Sequence, residues 1–431
     1  MLKKLNILLL HGLKNKKSWL SGVADVELMF PKYDKNNNYL VHSGVIKLPQ
    51  IIKEFHFDAI IIMSTFVDLI THHGLDGNWI KQYSFLKKSG SLKIVFSQDD
   101  YWFSEIRDQF YCDYKIDKLF SVCPPETWLE LFPNYIKNNG IVNQGYTTYL
   151  TAFTKSLVNF EKPHSERQFD VVYRAKKIPN APNMLGWVKG EVGTWFLNAI
   201  KKKYSIKVDI STDSKSVIYG DDWYKFIGNS KAILGSNSGS SIRLRNKKMD
   251  YEIKKFQSKN PKALPEEVEL TVIPAQDRNK NYTAISPRNL EAALIGTLQI
   301  LIPGSYSNFL MPKEHYIPIM QDMSNIDEVI LSMEDKEYSR RIIENCKKAF
   351  LENKILDFEN LRLELTSFIR QNNRIKVDYN PIDFQKLSDR YDRYIFFAYN
   401  IYNCKEKIIS FLKNYMPATT FKKIKLYFFK S

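Results

Sequence analysis

Short, continuous apolar runs alternate with helix-spaced polar segments over the first three-quarters of the chain. "LNILLLHG" (5–12), "FDAIIIMSTF" (57–66), "LKIVFSQDD" (92–100) and "DKLFSVCPP" (117–125) are each rich in β-branched or aromatic residues and end in Gly, Ser, Asp or Pro. Runs that are apolar throughout, and not at every second position, predict parallel strands covered on both faces by helices. A second series follows in "QFDVVYRAK" (168–176), "IKVDIST" (206–212), "KAILGSNSGSS" (231–241), "VELTVIPA" (268–275) and "TLQILIPG" (297–304). In "SPRNLEAALIGTLQIL" (286–301), Leu290, Ala293, Leu294 and Leu298 recur at spacings of three and four, which predicts a helix running into a buried strand.

The expected fold class is therefore α/β: two Rossmann-like, doubly wound parallel-sheet domains facing a cleft, with a helical C-terminal portion. The N-terminal domain spans 1–150 and a linker 151–168, whose polar stretch "NFEKPHSERQ" (159–168) marks the break. The second domain spans 169–380. From about 325 the pattern turns helical ("NIDEVILSMED", "EYSRRIIENCKKAFLEN"), and 381–431 carries C-terminal helices and a basic aromatic tail. In open sheets of this kind ligands bind beyond the carboxyl ends of the strands.

A chain of 431 residues exceeds one core and fits two domains, and 44% hydrophobic with 14% aromatic residues excludes a disordered protein. Cys112, Cys123, Cys346 and Cys404 are scattered, with no C-x-x-C pair and no His partner pattern. That excludes a disulfide framework and a zinc site, and a reducing, cytoplasmic setting is expected. The opening "MLKKLNILLLHGL" is too short in its apolar run for a secretory signal, and no stretch reaches a membrane span.

Charge adds a partner. The formal charge is +16; residues 241–262 hold eight Lys/Arg against two acids, and 401–431 seven Lys against Glu406. The ending "FKKIKLYFFKS" interleaves Lys with Phe421, Tyr427, Phe428 and Phe429, as a peripheral anchor on the anionic inner face of the cytoplasmic membrane would. A solvated basic tail is the plain alternative. No nucleic-acid-binding module accompanies the charge, and no nucleic-acid partner is expected.

The candidate chemistry sits at predicted strand ends. Arg174, Lys176 and Lys177 follow "DVVY", and Lys189 follows a Pro/Asn/Gly-rich loop; a basic pair delivered there suits a diphosphate. "GSNSGSS" (235–241), with Ser238 at its centre, lets backbone N–H groups approach an anion, though an ordinary loop reads the same way. Ser286 and Pro287 fit the N-cap and first turn of a helix aimed at the cleft, and Glu291 in its early turns could accept hydrogen bonds from vicinal sugar hydroxyls. Asp99 and Asp100 end a strand at the cleft and are candidate bases, of which one can serve, because neighbours in extended backbone face opposite ways. His11-Gly12 reads as acceptor contact or turn, Trp223 and Tyr224 as stacking groups or core. His72-His73 lacks a third ligand and is not a metal site, so no metal is expected.

Residues "YGDDWYKFIGNSKAILGSNSGSS", "SPRNLEAALIGTLQILIP", "MPKEHYIPI" and "DMSNIDEVI", together with "FSQDDYW" in the first half, resemble GT-B glycosyltransferases, in particular the bacterial CgeB-type and surface-polysaccharide group. Ser286, Arg288, Glu291, Ala292, Gly296 and Thr297 match that group's Ser-x-Arg-x-x-Glu-Ala and Ala-x-Gly-Thr segments. The resemblance implies a nucleotide-sugar donor with its ribose on Glu291, its phosphates on Arg288, and the departing diphosphate on Arg174 and Lys189. It departs at Thr283, where many retaining members carry Glu, and in the longer Arg-to-Lys spacing. The expected function is metal-independent transfer of a sugar from that donor to a glycan or lipid-linked glycan in surface-polysaccharide synthesis, with no cofactor. The chain has no Asp-x-Asp to hold a divalent ion. A non-catalytic nucleotide-sugar-binding module and a nucleotide-sugar 2-epimerase on the same scaffold are the alternatives.

Overall fold

The computed structural model describes residues 3–14, 21–177, 181–201, 203–374 and 382–416. The first sheet contains β1 (Asn6–His11), β2 (Asn38–Ser43), β3 (Ala59–Ile62), β4 (Leu92–Ser97), β5 (Lys118–Ser121) and β6 (Val142–Gln144), in the order β2-β1-β3-β4-β5-β6. The second contains β7 (Phe169–Arg174), β8 (Val208–Ser211), β9 (Ser230–Gly235), β12 (Leu298–Leu301) and β13 (Ile317–Pro318), ordered β13-β12-β9-β7-β8. Every pairing in both sheets is parallel. β10 (Ser238–Ser240) and β11 (Tyr282–Ala284) form a separate antiparallel pair. The expected fold class is the one observed.

Continuous apolar strands follow from cores on both sides. Along β1, Leu8 and Leu10 enter one cluster with Ile60 and Ile62 of β3, while Ile7 and Leu9 enter the other with Ala59 and Ile61. Residues pointing alternately out of the pleat thus all meet apolar neighbours. In the second sheet Ile233 and Leu301 face one core, Ala232, Leu234, Leu298 and Ile300 the other.

One expected strand is a helix. "VELTVIPA" falls largely in the helix Pro265–Val272, with Pro265 opening its first turn, Glu266 and Glu267 beside the positive helix end, and Val268 buried. β2 ("NYLVHS") has no counterpart among the expected strands, because its polar Asn38, His42 and Ser43 hide a buried strand whose His42 is satisfied by the Tyr391 and Tyr83 hydroxyls at 2.8 and 3.1 Å.

The chain returns to the first sheet at its end. Phe358, Leu361, Leu365 and Ile369 of the helix Phe358–Asn372 pack into the core that holds Ile7 and Leu9, and Leu387 and Tyr391 of the helix Phe384–Tyr415 join the one that holds Leu8 and Leu10. The two halves also meet directly beyond β4. The Leu244 N–H donates to Tyr101 O at 2.8 Å, the Ser104 N–H to Leu244 O at 3.2 Å, and the Tyr101 and Tyr282 rings stack at 5.8 Å.

Candidate functional site

At the carboxyl edge of the second sheet lies a cavity of about 460 Å³, within the range that holds small ligands. Arg174, Lys176, Lys189, Ser286, Arg288 and Glu291 line it together, joined by Gly22 and Val23 of the first domain and by the loop Val217–Gly220 with Trp223. Six groups taken from three separate stretches of sequence thus converge on one space.

Local chemistry explains each placement. Ser286 caps the helix Pro287–Leu294, its N–H donating to Asn289 Oδ1 at 3.0 Å, so the helix opens on the cavity through Ser286, Pro287 and Arg288. Pro287 has no N–H and the Asn289 N–H returns to Ser286 O at 2.9 Å, so the helix dipole is what favours an anion there. Glu291, one turn in, is 6% exposed and accepts from the Trp223 Nε1–H at 2.8 Å. Burial pushes its carboxyl above the usual carboxylate range, opposed by that hydrogen bond and by the Arg288 charge. Gly22 faces it from the first domain: a Cβ there would stand 2.9 Å from Glu291 Oε1, so only glycine permits this approach without displacing the carboxylate.

The cations differ in how far they are already engaged. Arg174 is tied to Asp209 at 2.7 Å and lies over the Phe226 ring. Arg288 spans the Tyr173 and Trp223 rings and donates through Nη2 to Arg174 O at 2.6 Å. Among the described residues the Nε of each is buried without a hydrogen-bond partner, an arrangement that costs about 1–3 kcal/mol per group if left so. Lys177 pairs with Glu191 outside the cavity, leaving Lys176 as the lining lysine of that pair. Among the described residues the Lys189 ammonium has no salt bridge, and burial, reinforced by Arg288 and opposed by Asp99, lowers its pKa to about 8.

Asp99 and Asp100 part company. Asp100 is 0% exposed and held by the hydroxyls of Ser97 and Ser121, the latter at 2.6 Å, with Arg107 at 3.9 Å. It is a buried structural carboxylate, and burial raises its pKa. Asp99 is exposed and takes a left-handed backbone with φ 52°, so the pair does not sit in the extended backbone expected of it. The Tyr101 hydroxyl donates to Asp99 Oδ1 at 2.5 Å, and its charge reaches Lys189 of the other domain.

Ser238 lies elsewhere: it pairs with Ala284 in the β10–β11 ribbon and does not line the cavity. Thr283 is buried on β11 with its hydroxyl 2.6 Å from Ser305 Oγ. Tyr224 is core, whereas Trp223 lines the cavity. His11 is buried, its Nδ1 accepting from the Leu13 N–H at 3.1 Å. His72 and His73 end the helix Ser64–His73, where His73 stacks on Trp79 at 5.1 Å. The basic aromatic ending 421–431 lies outside the described residues.

Sequence reasoning missed Gly22 and Val23 of the cavity, and, away from it, the buried Glu27. Glu27, 1% exposed, accepts from Ser64 Oγ at 2.7 Å and from the Thr65 N–H at 3.2 Å, and burial raises its pKa to about 7. Nothing in "SGVADVELMF" distinguishes it from a surface acid.

No family model matches the chain and no curated protein matches its sequence. Solved structures do. An alpha-glucosyltransferase in complex with UDP-glucose and DNA containing an abasic site aligns over 85% of this chain and 100% of its own, at 11% identity and a TM-score of 0.50. A glycosyltransferase from Rickettsia africae aligns over 87% of this chain and 100% of its own, at 11% identity and 0.48. Anabaena HepE in complex with UDP-glucose aligns over 85% and 100%, at 9% and 0.45. At 11% identity the likeness to the alpha-glucosyltransferase shows the architecture alone, two Rossmann-like domains about a cleft.

Proposed function

We propose that this chain is a glycosyltransferase that moves a sugar from a nucleotide donor to a glycan or lipid-linked glycan, within the CgeB-type and surface-polysaccharide group. The observation that carries the reading is the cavity in which Arg174, Lys176, Lys189 and Arg288 surround the opening of the Pro287–Leu294 helix, with the buried Glu291 beside them. An anion next to a hydrogen-bonding polyol satisfies both halves of that lining.

In this reading Glu291, fixed by Trp223, accepts from the ribose hydroxyls. Arg288 and the helix opening hold the phosphates, with Arg174 and Lys189 on the departing diphosphate. As the bond from the sugar C1 to the phosphate oxygen breaks, its electron pair goes to the diphosphate, and positive groups already in place stabilise that charge. The acceptor oxygen forms the new bond to C1. For an inverting transfer Asp99 takes its proton, as the exposed member of the pair at the cleft. Transfer proceeds without a metal ion, since fixed cations supply the charge that an ion would.

Binding of nucleoside diphosphates, read as thermal stabilisation across UDP, GDP, CDP, CMP, dTDP and ADP with EDTA present, tests the reading. UDP belongs in the panel because the alpha-glucosyltransferase of similar fold carries UDP-glucose. Thr283 favours a second reading, a nucleotide-sugar binder without turnover, since a buried hydroxyl stands where many retaining members of the resembled group carry Glu. Release of nucleoside diphosphate from a bound donor separates the two. The reading further places the enzyme in the cytoplasm, peripheral on the inner membrane face through its basic ending.

A further inference from the structure

The last described helix, Phe384–Tyr415, has 32 residues and is about 48 Å long. Its first part is anchored: Leu387 and Tyr391 are buried in the first domain's core, and the Tyr394 hydroxyl donates to Lys47 O at 2.6 Å. Its second part carries four large apolar side chains in the open, Phe396 and Phe397 at 66% exposure, Ile401 at 71% and Ile408 at 51%. At 100° per residue these four fall within an arc of about 140°, on the side away from Leu387 and Tyr391. Lys407 and Lys405 lie near the two borders of that arc.

We propose that this outward face is a docking surface for an anionic lipid bilayer. Charge selects the occupant. Within the helix, Lys405 and Lys407 border the arc and no acid of 396–411 falls inside it, so two copies meeting through this face would bring like charges together, whereas an anionic headgroup layer would neutralise them. An aromatic and aliphatic arc bordered by lysines is the pattern of a helix lying in the interface plane. No described helix is long and apolar enough to cross a membrane, which fits a face that lies on the bilayer. Because the helix is rooted in the first domain, docking brings that domain, and with it the acceptor side of the cleft, to the lipid. The docking stands on the helix's own surface; only the statement that a lipid-linked acceptor is thereby presented rests on the glycosyltransferase reading.

Flotation of the full chain with phosphatidylcholine vesicles and with vesicles of phosphatidylcholine and phosphatidylglycerol at 7:3 tests it, in wild type and in the double variant Phe397→Asp, Ile401→Asp. Wild type is expected to float with the anionic vesicles and to lose binding in high salt. The double variant, shown folded by an unchanged melting temperature, is expected to bind at least tenfold less. Equal binding by the variant overturns the proposal, as does failure of wild type to bind anionic vesicles. A wild-type dimer that the variant splits, without vesicle binding, assigns the face to a second copy and overturns it too. No turnover is needed for any of these results, so a protein that floats but binds no nucleotide keeps the docking surface while losing the functional reading.

Discussion

The indole Nε1–H of Trp223 donates to Glu291 Oε2 at 2.8 Å, so the carboxylate at the cavity is held by a side chain 68 residues away on another helix. This bond uses one of the carboxylate's four lone-pair sites and leaves Oε1 facing Gly22 and the cavity. Trp223→Phe removes the donor while keeping an aromatic wall under Arg288. It is expected to weaken nucleoside-diphosphate binding by about 1–2 kcal/mol, close to tenfold, measured by calorimetry.

Lys189 sets a pH dependence. Its ammonium deprotonates at about 8 in the ligand-free protein, because burial and the Arg288 charge disfavour the cation. Affinity for a diphosphate is therefore expected to be full below pH 7 and to fall as the pH rises through 8. Lys189→Met should be weaker at low pH and should lose that step. Affinities at pH 6.5 and 9 for both proteins check it, and an equal pH 9 loss in the variant would place the titration elsewhere.

The adjacent acids are expected to separate by assay. Asp100→Asn, at a fully buried site shared with Ser97, Ser121 and Arg107, should lower stability by about 1–3 kcal/mol. Asp99→Asn should leave the melting temperature nearly unchanged. If Asp99 takes the acceptor proton, its turnover should drop by about 10²–10⁴. Wild-type turnover in Asp99→Asn would remove it from the chemistry.

Glu27 provides a stability test with a defined sign. Its folded pKa of about 7 lies above the ordinary 4.5, so between these values the folded protein keeps a proton that the unfolded chain has lost. Stability from this group is full below pH 4.5 and declines as the pH rises to 7, by about 3 kcal/mol for the whole shift. Denaturant unfolding at pH 5 and 7.5 should show a smaller decline in Glu27→Gln than in wild type.

Gly22→Ala directs a methyl group at Glu291 Oε1. Donor affinity is expected to fall severalfold, while the cores, which Gly22 does not enter, keep the protein folded. An unchanged dissociation constant would remove the close approach of Gly22 to Glu291 from donor binding.

The strands were legible because both faces of each sheet are buried, which makes runs such as Ile60–Ile62 apolar throughout. β2 was not, since His42 is satisfied by two tyrosines distant in sequence. "VELTVIPA" misled because Val268, Leu270 and Val272 alternate as a strand would, while Pro265 and the two acids after it start a helix. At the site, Arg174, Lys189, Arg288 and Glu291 lie at predicted element ends, where sequence is informative. Gly22 and Glu27 meet their partners only through the packing of one domain on another, or of one helix on a distant strand end. No local pattern records such contacts. Asp100 turns away from Asp99 because Asp99 itself takes a left-handed backbone, which neighbouring identities do not specify.

The central claim is that the cavity binds a nucleoside diphosphate through Glu291 and its surrounding cations. Calorimetric titration with the best ligand of the nucleotide panel, in EDTA, against wild type and Glu291→Ala tests it most directly. The account predicts saturable one-to-one binding to wild type and at least tenfold weaker binding to a variant with an unchanged melting temperature. Equal affinities in the two proteins, or no binding by any nucleotide to the folded wild type, would contradict it.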